Sequence, residues 1–277
     1  MDYLEIKAPA KINFGLYVIR KREDNYHDIE TIFYPLDDLY DTLYINKSDH
    51  FSFKCSDGNL QDGNLVVKAK DILENTTGKK ITAEVFLEKF IPTGAGLGGG
   101  SSDAATALVS FNEMFGLRLD LKTLNGIALQ LGSDVPFFLK AKPSFGEMIG
   151  ERLTQLNFLI DSHILIVNPG IHVSTKEAYS KIKPEPAKFS LKKFNNRSIL
   201  EFRKLKEIVL NDFENVVFDM HPEIKKIKDG LYDSGALFAL MSGSGSTVYG
   251  IFKELEKAHS AQSLFPKYFT FLNEYQR

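Results

Sequence analysis

The strongest chemical signal in this chain of 277 residues is the glycine-rich segment from Pro92 to Ala105. Five glycines fall within the seven residues from Gly94 to Gly100, and two serines and an alanine-rich stretch typical of a buried helix follow. A loop without side chains lets backbone N–H groups approach a ligand, and the start of a helix attracts anions. The segment therefore predicts a phosphate-binding loop. A flexible linker is the alternative, but linkers do not usually join a strand to a buried helix.

Two familiar nucleotide-binding patterns do not describe this loop. A Walker loop needs a lysine before its Ser or Thr, and no lysine lies between Pro92 and Ala105. The dinucleotide pattern Gly-x-Gly-x-x-Gly is matched by Gly94, Gly96 and Gly99. However, the loop follows some ninety residues instead of opening a βαβ unit, and no acidic residue closes a second strand.

Two charged residues outside the loop could take part in chemistry. Lys11 lies on or beside the first predicted strand, where an isolated lysine ordinarily keeps its ammonium in solvent. Asp134 precedes Val-Pro, where an aspartate often serves only a turn or a cap. The single cysteine, Cys55, excludes an intrachain disulfide and has no activating neighbour in sequence. The six histidines show no metal-ligand spacing, so no protein-built metal site is expected.

The elements that would position these residues are a mixture of predicted strands and helices. Strands are predicted near residues 12–18, 29–36, 42–45, 83–90, 164–167, 237–241 and 247–252. Helices are predicted near residues 64–75, 101–115, 121–131, 175–181, 199–209, 223–233 and 254–263. The order lacks the strict alternation of a doubly wound sheet, which favours an α+β fold in two lobes. We place an N-terminal lobe with the phosphate loop at residues 1–155 and a C-terminal lobe at 156–277.

Composition narrows the classes of protein further. Apolar residues make up 43%, charged residues 25%, and the net charge is −2. These values are typical of a globular protein and argue against nucleic acid or an anionic membrane as a partner. No secretory signal and no apolar run of membrane-spanning length is visible, so a cytoplasmic protein is expected.

Three segments, in order along the chain, resemble the three motifs of the GHMP kinases. They are Ala8–Leu16, Pro92–Ala105 and Met241–Phe252. Within that family, Arg22–His27, Thr31–Phe33, the triple glycine before Ser101 and Gly132–Phe138 are similar to the branch that phosphorylates a CDP-linked polyol. The resemblance implies a two-lobed GHMP-kinase fold with the active site in the cleft between the lobes. It also implies ATP as phosphate donor, Mg²⁺ carried with the ATP, and a small-molecule CDP-linked polyol as acceptor.

The resemblance assigns catalytic and nucleotide-binding roles. Asp134 would accept or orient the proton of the substrate hydroxyl, and Lys11 would keep Asp134 ionised and counter charge during transfer. The residues matching the ATP-binding loop are Pro92, Gly94, Gly96, Leu97, Gly98, Gly99, Gly100, Ser101 and Ser102.

The resemblance also assigns acceptor-binding roles. Tyr26 and Tyr179 would stack on the cytosine, with Thr175 nearby, while His27 would read the edge of the base. The further candidates are Asn13, Phe33, Gly243 and Ser244. All four have plain structural alternatives: a satisfied strand end for Asn13, core for Phe33, and a hairpin turn for Gly243 and Ser244.

The sequence departs from the family pattern at two places. Asp103 stands where the family often has asparagine, and Met148–Gly150 replaces a small Gly-x-Gly turn.

Two other functions are possible alternatives. The enzyme alternative is another GHMP kinase, acting on homoserine, mevalonate or a sugar. The alternative from another class is a nucleotide-binding relative that has lost catalysis, against which the presence of both Lys11 and Asp134 argues.

Overall fold

The computed structural model describes residues 2–195 and 202–276. The chain forms two compact units, each assembled from separate stretches of sequence. The first unit comprises Met1–Ala10, Leu36–Thr93 and Gly98–Ala141, and the second comprises Lys11–Pro35, Gly94–Leu97 and Lys142–Arg277. The sequence placed one boundary near residue 155, and the units do not follow it, because the two long N-terminal strands contribute residues to both.

The first unit combines a sheet with helices that carry the apolar residues of this half. Its strands are the start of β1 (Tyr3–Lys21), the end of β2 (His27–Lys47), β3 (Ser52–Cys55) and β4 (Ala83–Glu88). β4 runs antiparallel to β2 and parallel to β3. The helices are α1 (Leu65–Thr77), α2 (Gly99–Met114), α3 (Leu121–Leu131) and α4 (Val135–Phe138).

Local sequence explains why these elements begin and end where they do. Asn64 caps α1 by accepting a hydrogen bond from the Val66 N–H, and Gly78 ends the helix in the left-handed region with φ of 69°. In β4, buried and exposed residues alternate strictly, as the sequence predicted. α2 is buried along most of its length because its small residues allow close approach.

The second unit contains the remaining strands and helices. β5 (Ser144–Glu147) pairs with β2 and with β6 (Arg152–Gln155). A separate antiparallel sheet has the order β10 (Phe269–Asn273), β7 (His163–Asn168), β9 (Val248–Phe252), β8 (Phe238–Met241). The helices are α5 (Thr175–Lys181), α6 (Phe202–Leu205), α7 (Phe213–Met220), α8 (Pro222–Asp233) and α9 (Leu255–Gln262).

Most predicted elements are confirmed, and the differences have simple causes. The helix predicted over 199–209 begins outside the described residues, and only α6 lies within the rest of that range. Strands β3, β5, β6 and β10 and the short helices α4 and α7 were not predicted. Met148 and Gly150 take positive φ values of 62° and 107° in the turn between β5 and β6, so this departure from the family pattern still forms a tight turn. Within residues 2–195 and 202–276, no helix combines the length and apolar character required to cross a bilayer.

Candidate active site

Lys11 is buried on β1, with 3% of the residue exposed. Its ammonium donates to Asn13 Oδ1 at 2.6 Å and to the Gly96 carbonyl oxygen at 3.0 Å. The backbone N–H of Lys11 also donates to the Leu97 carbonyl oxygen at 2.9 Å. The solvent-exposed alternative for this lysine is therefore wrong, because oxygen acceptors hold its head group inside the second unit.

Ser242, at the start of the third motif, completes this arrangement. Its hydroxyl donates to the Gly96 carbonyl oxygen at 2.9 Å and accepts from the Asn13 N–H at 3.1 Å. The Tyr249 hydroxyl donates to the Asn13 carbonyl oxygen at 3.1 Å. The three motifs thus meet at one buried hydrogen-bonded cluster, although the contacting residues of the first and third motifs are 229 residues apart in sequence.

Both ends of the Asn13 side chain are occupied within the protein. Its carbonyl oxygen accepts from Lys11, and its amide donates to Thr31 Oγ1 at 2.9 Å. The Thr31 hydroxyl in turn donates to the Gly15 carbonyl oxygen at 2.6 Å. This geometry agrees with the structural alternative for Asn13, and a contact with substrate stays a prediction.

Three glycines of the loop have a left-handed backbone. Gly94, Gly96 and Gly98 have positive φ values of 66°, 78° and 76°, so every second residue is in the left-handed region. Gly98 is the N-cap of α2, and the first helical hydrogen bond runs from the Ser102 N–H to the Gly98 carbonyl oxygen at 2.9 Å. The N–H groups of the first turn therefore have no partner within the helix.

The side chains of the predicted ATP-binding residues differ in exposure. Leu97 is buried in the apolar core, so only its backbone suits a ligand. Ser102 is buried, and its hydroxyl has no hydrogen-bond partner among residues 2–195 and 202–276. Pro92, Ser101 and Gly99 are half-buried, while Gly100 is exposed. The loop and the first turn of α2 therefore present few side chains, so their backbone groups are the ones available to a ligand, as the sequence predicted.

Asp134 belongs to the first unit. It is half-buried and directly precedes α4, whose first residues are Val135 and Pro136. Its role as the partner of the reacting hydroxyl stays a prediction.

The predicted cytosine-binding residues lie in the second unit. Tyr26 is 61% exposed in the turn between β1 and β2. The His27 ring stacks on the Tyr179 ring, with centroids 4.8 Å apart and planes 20° from parallel. Burial and the nearby charge of Lys21 lower the pKa of His27, which favours its neutral form. Tyr179 also meets Phe213 edge to face at 4.8 Å. The stack between His27 and Tyr179 was not predicted.

The remaining candidates for acceptor binding lie either near the turn of the third motif or in the hydrophobic core. The Thr175 and Ser244 hydroxyls are 2.8 Å apart. Gly243 has φ of 59°, and a Cβ there would lie 3.4 Å from Asn13 Oδ1. Phe33 is buried with its ring 5.5 Å from Lys11 Nζ, which agrees with the core alternative.

Sequence reasoning missed a group of polar residues that hold the third motif in place. The Asn211 amide donates to the carbonyl oxygens of Met241 and Gly243, each at 2.8 Å. Glu214 Oε1 accepts from the Met241 N–H at 2.9 Å. The only signal was the polar run Asn-Asp-Phe-Glu between apolar stretches, which looks like an ordinary helix start. No group of three or more acidic, His or Cys side chains suited to a metal ion exists in the described part of the chain.

Two family models match the chain in the order its motifs predict. The GHMP kinases N terminal domain matches residues 64–142, and the GHMP kinases C terminal domain matches residues 190–269. The 4-diphosphocytidyl-2-C-methyl-D-erythritol kinase of Chlorobium limicola is 42% identical over 264 residues, covering 93% of this chain and 91% of the relative. The chain belongs to the GHMP kinases. Membership in a kinase family implies ATP as the phosphate donor.

Two further similar proteins are named for the same acceptor. The Parabacteroides distasonis protein of the same name is 44% identical over 260 residues, covering 92% of this chain and 94% of the relative. The crystal structure of a 4-(cytidine 5'-diphospho)-2C-methyl-D-erythritol kinase has a TM-score of 0.81 at 31% identity, covering 97% of this chain and 98% of that one. The homoserine kinase of Cytophaga hutchinsonii, with a TM-score of 0.67 at 17% identity, shares the fold alone.

Proposed function

We propose that this GHMP kinase transfers the γ-phosphoryl group of ATP to the 2-hydroxyl of 4-diphosphocytidyl-2-C-methyl-D-erythritol. This step belongs to non-mevalonate isoprenoid precursor biosynthesis. The observation that carries the proposal is the 42% identity, over 93% of the chain, to a kinase named for that acceptor. The buried meeting of Lys11, Gly96 and Ser242 supports it, because it joins the three motifs at one place.

The loop and the start of α2 would hold the phosphates of ATP. The glycines carry no side chains, so the backbone N–H groups could approach the phosphates closely, and the helix dipole adds partial positive charge. Magnesium would arrive on the ATP and keep phosphate and water ligands. No protein residue is assigned to the metal.

Transfer itself would depend on positioning and charge. Lys11 is fixed by Asn13 and Gly96, so its ammonium has a defined place from which to counter developing negative charge. Asp134 would accept or orient the proton of the acceptor hydroxyl.

The acceptor's cytosine would bind at Tyr26, His27 and Tyr179. Because the imidazole of His27 covers one face of Tyr179, a base stacking on that face requires His27 to rotate away. The displaced imidazole has one ring nitrogen to donate and one to accept a hydrogen bond at the edge of the base when it is neutral.

Thermal unfolding with small ligands tests the acceptor class. Cytidine diphosphate should raise the melting temperature, with about 2.7 kcal/mol of stabilisation at 100 times its dissociation constant. Mevalonate and homoserine should leave it unchanged. Tyr179→Ala should reduce the response to a fixed concentration of cytidine diphosphate while keeping the response to ADP, which separates the two nucleotide sites. A response to mevalonate or homoserine, with none to cytidine diphosphate, would assign the chain to another acceptor.

A further inference from the structure

Three buried charges form a cluster in the first unit beside the start of α2. Lys89 Nζ lies 2.5 Å from Asp41 Oδ2 and 2.8 Å from Asp103 Oδ2. The side chains of Lys89, Asp41 and Asp103 are 8%, 0% and 3% exposed. With both carboxylates ionised, the cluster carries one more negative than positive charge, which is costly in a buried place.

Asp41 connects the segments on both sides of the glycine loop. Its Oδ1 accepts from the backbone N–H groups of Phe90 and Ile91 at 2.6 and 2.9 Å, just before the loop. After the loop, a Cβ at Gly99 would lie 3.2 Å from Asp41 Oδ2 and 3.1 Å from Ile91 Cγ2. The first residue of α2 thus packs directly against the carboxylate that also holds the chain entering the loop.

Asp103 contributes the excess negative charge of the cluster. Asp41 alone can neutralise Lys89, and Asp103 Oδ1 is buried with no hydrogen-bond partner among residues 2–195 and 202–276. Asp103 lies four residues after the first residue of α2, a rise of about 6 Å along the helix axis. Its charge therefore lies close to the N–H groups that face an anion.

The surroundings of Asp103 favour its neutral form. Burial outweighs the attraction of Lys89 and, together with the charge of Asp41, raises the pKa of Asp103 to about 7. Burial opposes the charge on Lys89, but Asp103 and Asp41 outweigh it and raise the pKa of that ammonium. The Cys55 thiol also interacts electrostatically with Lys89 and Asp103, and burial raises its pKa, which favours the neutral thiol.

We propose that Asp41 and Lys89 are positioning residues that hold both ends of the glycine loop, and that the charge of Asp103 opposes the triphosphate of ATP. The inference rests on the proposed ATP-binding role of the loop. When Asp103 is protonated, the start of α2 presents only its N–H groups and positive dipole to the phosphates. When Asp103 ionises, a carboxylate with little solvent around it repels them. ATP affinity should therefore fall as the pH rises through the titration of Asp103.

Calorimetric titration of the full chain with Mg-ATP from pH 6 to 8.5 tests this. The ratio of the wild-type to the Asp103→Asn dissociation constant should rise from about 1 at pH 6 to about 3–10 at pH 8.5. The titration of ATP itself is common to both proteins and cancels in the ratio. Glu113→Gln removes an exposed carboxylate from the other end of α2 and should follow the wild type at every pH.

The Asp41→Asn variant should have the opposite effect on ATP affinity to Asp103→Asn. Without the charge of Asp41, Lys89 pairs with Asp103 alone and keeps it ionised, so ATP affinity should be low already at pH 6 and nearly independent of pH. The KM for ATP should rise while the KM for the acceptor stays within about twofold. If the ratio of the wild-type to the Asp103→Asn dissociation constant for Mg-ATP does not change with pH, the inference is overturned and the kinase assignment stays intact. If the wild type binds no ATP at any pH, the proposed function fails, and this inference falls with it.

Discussion

A Cβ atom on Gly96 would lie 2.2 Å from the carbonyl oxygen of Ser242, well inside van der Waals contact. Gly96 also has φ of 78°, which disfavours any side chain. The second and third motifs therefore touch backbone to backbone, and the glycine at this position is required by a neighbour about 150 residues away in sequence.

Replacing Gly96 with alanine should cost the second unit about 2 kcal/mol or more in free energy of unfolding, because both the contact and the backbone become strained. Gly100→Ala is the matched control. A Cβ there would meet only Leu65 Cδ1 at 4.0 Å, and alanine favours helix, so stability should hold or rise slightly. Urea unfolding of the two variants measures the difference. Equal midpoints would mean that the motifs do not meet as described.

Asp134→Asn should lower turnover by orders of magnitude while leaving folding and ATP affinity close to wild type. The reason is the proposed contact of this carboxylate with the acceptor hydroxyl, which an amide cannot deprotonate. Steady-state kinetics of purified protein, with ATP affinity measured by calorimetry, provides the check. Turnover near the wild-type value would remove Asp134 from the catalytic residues.

Replacing Tyr26 or Tyr179 with alanine should weaken acceptor binding by about 1–3 kcal/mol, which is the typical value of base–aromatic stacking. This corresponds to about a 5- to 150-fold rise in the dissociation constant. Phenylalanine at either position should restore most of the loss, because the ring face makes the contact. ATP affinity should barely change.

His27→Ala separates edge recognition from stacking. The variant should lose discrimination between cytidine and uridine diphosphates, and it should also uncover the face of Tyr179 that the imidazole occupies. Normal cytidine binding in both alanine variants of the tyrosines would contradict the proposed base site. The family assignment would stand, since it depends on the three motifs.

The raised pKa of Asp103 also predicts a pH dependence of stability. Its value of about 7 in the folded protein lies above the ordinary value of 3.8, so the folded chain binds more protons between these values. The stabilisation is fully present below pH 3.8 and is lost as the pH rises through 7. The free energy of unfolding of wild type minus that of Asp103→Asn should therefore fall between pH 4 and 7.5 and then level off. Chemical unfolding at several pH values measures it, and a difference that rises with pH would contradict the assignment.

The glycine loop and the elements with strong local patterns were the most predictable part of the molecule. Glycines at alternating positions are a local signal, so the loop follows from the sequence. The small, apolar run after the loop predicted α2, but its N-cap is Gly98 and no side chain caps it, so the serines did not mark its start. The strict alternation in β4 and the capped α1 were equally readable. By contrast, β6 has only one apolar residue, Leu153, and no period-2 pattern, so its pairing with β5 depends on tertiary context.

Buried polar contacts were the least predictable part. Lys11 is inside because Asn13 and Gly96 supply oxygen acceptors, and the second of these is 85 residues away. Ser242 and Asn211 form their contacts with backbone groups of other segments, which no local pattern reveals. The stacking of His27 on Tyr179 likewise depends on how a hairpin turn and α5 come together.

The most direct test of the account is an assay of ADP formation by the wild-type protein with Mg-ATP across a panel of acceptors, with product masses recorded. The panel comprises 4-diphosphocytidyl-2-C-methyl-D-erythritol, mevalonate, homoserine and galactose. We expect ADP formation and the gain of one phosphoryl group with the cytidine-linked acceptor, and only background with the other three. Phosphorylation of one of those three, with the cytidine-linked acceptor left unmodified, would contradict it.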